Sequence, residues 1–209
     1  MYTLPIVSQF TDLGVSYDEH LNFLPHIGKI VKKAAGRAKC ILKCFASRDK
    51  LLLTLAFCTF VRPLLEFSSI IWSPYFKKDI SKEAVQRSFT KAIGNLRHLS
   101  YKDRLINLEI DSLQCRRLKS DLVMCYKMLN GLVDMNCSCF LVRATYSSTR
   151  GNSFKLAKLP VGSLRDKNFF SNRIVNIWNS LPDSIVTSSS VSCFKRSIDQ
   201  LNFCKFLLF

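Results

Sequence analysis

Acidic residues are scarce in this chain. Asp and Glu number 15 against 31 Lys and Arg, a formal charge of +16 over 209 residues. No two aspartates are adjacent, so the paired carboxylates that would hold two metal ions for nucleotidyl transfer are missing, and the one adjacent acidic pair, Asp18-Glu19, reads as a turn. Histidine is rarer still: His20, His26 and His98 do not have the spacing of a catalytic or metal-binding set. No Gly-rich phosphate loop, His-Glu-x-x-His or Gly-x-Ser-x-Gly motif occurs, which leaves an autonomous hydrolase without support. Long uncharged apolar runs are absent too. The longest apolar stretch, 51–71, carries Arg62, Pro63 and Glu66 in its middle, where hydrocarbon would penalise them, so it reads as a buried helix pair and no membrane partner is expected. The apolar tail 203–209 is too short to span a bilayer.

The nine cysteines (Cys40, Cys44, Cys58, Cys115, Cys125, Cys137, Cys139, Cys193, Cys204) are odd in number, and several sit inside apolar helical patterns. No basic and apolar secretory leader occupies residues 1–10. An intracellular, reducing compartment is therefore expected. Zinc needs about four converging ligands; neither Cys40 and Cys44 nor Cys137 and Cys139 has a second Cys/His pair at a recognisable spacing, so no metal is assigned. Cys40, Cys44, Cys58 and Cys125 read instead as small apolar residues of a helical core.

What is present is helical periodicity and basic charge. Apolar residues make up 48% of the chain, enough to build a core. Phe10 to Phe23 reads as two extended pieces with a turn at Tyr17-Asp18-Glu19. From His26 to Phe45, Ile27, Ile30, Val31, Ala34, Ala38, Ile41, Leu42 and Phe45 recur at helical spacing. The opposite face carries Lys29, Lys32, Lys33, Arg37, Lys39 and Lys43, a ladder suited to phosphates. Ser47 or Asp49 caps a following helix whose apolar residues Leu51, Leu52, Leu55, Ala56 and Phe60 leave little polar face, so it is expected to be central, and Pro63 kinks or restarts it. Another helix begins at Asp79 or Ser81, with Ile80, Ala84, Val85, Phe89, Ala92, Ile93 and Leu96 as its buried face. Ser100 to Asp103 has capping-box spacing, and a helix over about 112–130 ends at Gly131 with Leu118, Leu122, Val123, Tyr126 and Leu129 inward. Composition turns polar over 134–153, the predicted linker. Beyond it come an extended stretch at 154–159, a helix around 169–181 and a last helix from Ser190 with Phe194, Ile198 and Leu201 inward. The fold class expected is mainly α, with a small N-terminal β-hairpin and a smaller C-terminal α(+β) lobe.

The order of these words resembles the region after the catalytic palm of non-LTR (LINE-like) retrotransposon reverse transcriptases. The resemblance rests on Asp12-Leu13-Gly14-Val15, Leu21-x-Phe23-x-x-His26-Ile27, Val61-Arg62-Pro63-Leu64-Leu65-Glu66-Phe67 and Trp72-Ser73-Pro74. It continues through Val85-Gln86-Arg87-x-Phe89-Thr90-Lys91, Tyr101-x-x-Arg104-Leu105, Leu113-x-x-Arg116-Arg117, Tyr126-Lys127 and Thr149-Arg150-Gly151. It ends with Phe169-Phe170-Ser171-Asn172-Arg173, Trp178-Asn179-Ser180-Leu181-Pro182 and Ser192-x-Phe194-Lys195. It implies an end-of-palm hairpin over 1–25, a helical thumb-like domain over 26–133, the linker 134–153, a helical lobe over 154–202 and the tail 203–209. Leu13-Gly14 would then lie near the primer grip, and the basic ladder in the thumb.

The resemblance also implies RNA, DNA or an RNA:DNA hybrid as partner, together with a missing palm and fingers portion. Arg116, Arg117, Arg150 and Arg173 would be further contacts. The family's aspartates and their Mg2+ belong upstream of these residues, so the chain is expected to be no enzyme by itself and to carry no cofactor. A truncated copy starting at an incidental methionine is the expected origin. The alternative is a degenerate remnant that binds nothing.

Overall fold

The computed structural model describes residues 7–74, 84–144 and 154–207. The fold is mainly helical with one two-stranded antiparallel hairpin at the N-terminal end. The chain divides into two compact units, 1–113 and 114–209. This division does not coincide with the expected linker at 134–153: the helix over 113–129 buries Leu118, Leu122, Cys125 and Tyr126, and its side chains bond within the C-terminal unit.

Unit 1 opens with β1 (Gln9–Asp12) and β2 (Val15–Asp18), paired so that Asp12 faces Val15. The turn is Leu13-Gly14, both at positive φ (46° and 84°), the pairing of signs of a type I′ two-residue turn. Tyr17-Asp18-Glu19 therefore is not the hairpin turn. Asp18 ends β2, and its Oδ1 accepts from the His20 and Asn22 amides. Helix α1 (Leu24–Cys44) starts with Pro25 in its first turn, where a missing N–H costs nothing. It buries His26, Ile27, Ala34, Ala38 and Ile41.

Helix α2 (Lys50–Ala56) is capped by Asp49, whose side chain accepts from the Leu52 amide at 2.7 Å. A π turn (Phe57–Val61) joins it to α3 (Arg62–Glu66). Pro63 has no N–H to give the Thr59 carbonyl and its ring would crowd it. The widened turn, with the Arg62 amide reaching Phe57 O, relieves that clash and lets the helical path continue. Buried here are Leu53, Ala56, Phe57, Val61 and Leu65, while Leu51 (76% exposed), Leu55 and Phe60 face out. Of the five apolar residues that make this helix read as central, Ala56 is buried and Leu51, Leu52, Leu55 and Phe60 are exposed.

Helix α4 (Ser69–Trp72) brings Trp72 against Val15 and Ile27, with the indole N–H donating to Phe67 O at 2.7 Å. Helix α5 (Ala84–Lys91) buries Val85 and Phe89 but leaves Ala84 exposed; the expected start at Asp79 or Ser81, with Ile80, lies outside the described residues. Phe57 and Phe89 meet at 4.9 Å in the main core, which also takes Ala34, Val61, Leu65 and Ile93. Helix α6 (Tyr101–Asn107) begins at the expected cap, Ser100 Oγ accepting from the Asp103 amide.

Unit 2 is built from most of α7 (Leu113–Leu129), ended by Gly131 at φ +65°, and the short helices α8 (Leu164–Asn168), α9 (Phe170–Arg173), α10 (Val175–Asn179), α11 (Asp183–Val186) and α12 (Val191–Asp199). The expected helix over 169–181 is thus two short helices. Near 154–159 the described residues form an antiparallel bridge between Arg143 and Leu156. Tyr126 stacks on Phe194 at 4.5 Å, and its hydroxyl donates to Ser188 O. Phe170 and Trp178 are core residues, whereas Phe169 is exposed.

Candidate nucleic-acid interface

The core packing of α1 fixes which side faces outward. At about 100° per residue, Lys29, Lys32, Lys33, Arg37, Lys39 and Lys43 fall within an arc of about 160° on that side. All six are exposed. The helix contains no Asp or Glu, and among the described residues no carboxylate pairs with any of the six. Arg37 is tethered, its Nη1 donating to Phe60 O at 3.1 Å, which sets an exposed phenylalanine beside the ladder. Lys43 lies in the last turn, where the helix dipole favours a cation.

From Lys29 to Lys43 the axis advances about 21 Å at 1.5 Å per residue. One strand of a nucleic-acid duplex carries a phosphate every ~3.4 Å, so that length matches about six of them. Flexible Lys and Arg heads on such a face bind the backbone and read no sequence. In the middle of the same arc lie Gly36 and two thiols, Cys40 and Cys44. The cysteines were expected in the core, but both are exposed. On the helical wheel both fall between Lys29 and Arg37, inside the basic arc. Cys125, by contrast, is buried as expected, and burial pushes its thiol up, the nearby Asp121 charge adding to the effect.

The arginines expected as contacts from unit 2 have different surroundings. Arg117 is 2% exposed. Arg173 grips Asp121 with two bonds, Nε to Oδ2 at 2.8 Å and Nη2 to Oδ1 at 2.9 Å, while Nη1 donates to Asn168 O. Burial pushes the Asp121 carboxyl up, against the opposing pull of Arg173 and then Arg117. The three form a charge cluster in which Arg117 is buried and Arg173, half-buried, has its guanidinium engaged by Asp121 and Asn168. Arg116 is half-buried, and Arg150 lies outside the described residues.

Sequence reasoning also missed Arg104. It is buried, with Nε on Thr90 Oγ1, Nη1 on Leu99 O and Nη2 on Arg87 O, and it stitches α6 to α5. Among the described residues, no group of three or more His, Cys, Asp and Glu could hold a metal ion. Nor is any helix among them long and apolar enough to cross a membrane.

No family model matches the chain, and no solved structure matches it. It is similar to an uncharacterized protein of Caenorhabditis elegans, 26% identical over 135 residues, which cover 63% of this chain and 68% of the relative.

Proposed function

We propose that this chain is a nucleic-acid-gripping segment of the non-LTR retrotransposon reverse transcriptase kind, which holds RNA, DNA or an RNA:DNA hybrid by its backbone through α1 and does not polymerise by itself. The observation that carries the reading is the α1 face: six exposed basic side chains in one arc, in a helix without a single acidic residue. A solvated structural helix of 21 residues has no need to exclude carboxylates, since alternating charges at one-turn spacing would stabilise it better. The formal charge of +16 acts in the same direction by drawing polyanions to the surface. Arg116, Arg117 and Arg173 are left out of the proposed contact set.

The test is binding of the purified chain to an RNA:DNA hybrid across a salt series, with primer extension run on the same sample. Six phosphate contacts would give a log-log salt slope of up to about five. The double substitution K32E/K33E should weaken binding to every sequence alike and flatten that slope by about two. No extension is expected. Unchanged binding by K32E/K33E would remove α1 from the interface, and no binding at low salt would favour the degenerate remnant.

A further inference from the structure

Arg104 is only 5% exposed, yet among the described residues no carboxylate pairs with it. Its guanidinium donates instead to three uncharged oxygens, Thr90 Oγ1 at 3.2 Å, Leu99 O at 2.7 Å and Arg87 O at 3.4 Å. Asp103, the carboxylate nearest to it in sequence, accepts from Ser100 Oγ in the cap of α6. Uncharged acceptors satisfy N–H groups without neutralising the charge, and a cation taken out of water is costly to leave unanswered. A second guanidinium stands close by. Arg87, which is exposed, lies 4.7 Å from the centroid of the Tyr101 ring, and Arg104 lies 5.7 Å from the same centroid. Two cations on one ring repel each other, and no carboxylate among the described residues pairs with Arg87 either.

We propose that Arg87 and Lys91, backed by Tyr101 and Arg104, form a binding site for a phosphate anion, a site that does not rest on the reading of α1. Lys91 follows Arg87 by one turn of α5 and is also exposed, so both heads leave the helix on the same side. The backbone that carries Arg87 is fixed twice over, since Arg87 O accepts from Thr90 Oγ1 at 3.2 Å and from Arg104. A guanidinium stacked on an aromatic ring is ordered in advance, and its N–H edge matches a phosphate bidentately. A tetrahedral dianion offers oxygens to Arg87 and Lys91 together, and its charge answers both arginines. Chloride has neither the second charge nor the fixed oxygens. Arg104 is a positioning residue here: it touches no ligand, holds Arg87 O and adds its charge through a poorly screening interior. Free inorganic phosphate and the phosphodiester of a nucleic-acid strand present this same chemistry.

The experiment follows the arginine Nε–H signals of the full chain by NMR during titration with inorganic phosphate, against chloride at matched ionic strength. The expected result is a saturable shift of the Arg87 and Arg104 signals with phosphate and none with chloride. Read at Arg104, R87Q should weaken phosphate binding about tenfold or more, and Tyr101→Leu about two- to fivefold. K32E/K33E should leave it unchanged. Arg104→Lys, which keeps the buried cation, should bind phosphate more tightly than Arg104→Gln, with circular dichroism checking that both variants fold. A second arm adds a short single-stranded oligonucleotide without a terminal phosphate, in the K32E/K33E background. The same shift there would support the site with a phosphodiester as its ligand, and a shift with inorganic phosphate alone would support it with the free anion. A response that chloride reproduces, that never saturates or that R87Q leaves intact would overturn the assignment. So would a response lost in K32E/K33E, which would place the anion on α1.

Discussion

Single residues in this fold divide into those that hold backbone and those that offer charge, and the family-like signatures fall largely into the first group. Trp178 donates to Phe154 O, Asn179 pairs with both the amide and the carbonyl of Leu156, Arg104 reaches three acceptors, and Trp72 binds Phe67 O. Those positions were legible as a pattern but not as chemistry, since burial decides whether an arginine meets a phosphate or a carbonyl. Arg173 shows the consequence most directly. Arg173→Met leaves Asp121 as a buried carboxylate without its bidentate partner, and a loss of about 3–5 kcal/mol is expected in denaturant unfolding of unit 2. Lys33→Ala, exposed on α1, should stay within about 0.5 kcal/mol. Equal effects for the two would refute the division. His26 provides a pH test in unit 1. Its Nδ1 accepts from the Ser16 amide, its ring meets Trp72 at 5.3 Å, and burial followed by the Lys29 charge lowers its pKa from 6.5. The unfolded chain thus takes up the proton first as pH falls, so this contribution is complete at neutral pH and is lost from 6.5 downward. His26→Gln should flatten the dependence of unfolding free energy on pH over that window; an unaltered slope would assign the titration elsewhere.

At the scale of elements, length decided what the sequence revealed. The 21 residues of α1 sample the helical period several times, so its core side and basic side could both be read before any coordinates. The α2–π–α3 segment is apolar on nearly every side, and periodicity has no means of choosing between two apolar faces. The packed residues are Leu53, Phe57, Val61 and Leu65, every fourth position. A regular helix would drift by about 40° at each such step, and the π turn takes part of that drift back. The unit boundary was hidden for a related reason. A composition shift marks where chain becomes polar, not where its helices find partners, and α7 finds Arg173, Phe194 and Ser188 far downstream. Choosing the Leu53 face leaves Leu51, Leu55 and Phe60 exposed. A strip of that kind drives association at raised concentration. Leu51→Lys with Leu55→Gln should therefore lower the sedimentation-measured average mass at high concentration while changing stability by no more than about 1 kcal/mol. If association persists unaltered, or unfolding shifts by several kcal/mol, these side chains are packed rather than exposed.

At the scale of the whole molecule, salt acts on the chain's net charge in two opposed ways. A formal +16 makes the compact chain repel itself, and screening over about 10 Å at 0.1 M relieves that repulsion. Added salt should thus raise the thermal midpoint of the free chain. With nucleic acid bound the sign reverses. A hybrid present at a hundred times its Kd adds about 2.7 kcal/mol, and salt removes that increment by weakening Kd. The midpoints with and without hybrid should therefore approach each other as salt rises from low to high. K32E/K33E separates a defined face from a general basic surface, because each substitution lowers the formal charge by two and the pair by four from +16. Less self-repulsion should raise the free variant's midpoint at low salt, while losing two rungs of the ladder should shrink its response to hybrid. A variant whose free midpoint rises but whose hybrid-induced shift is undiminished would place the binding charge elsewhere than on α1. A shift lost together with a lowered free midpoint would instead mark Lys32 and Lys33 as structural.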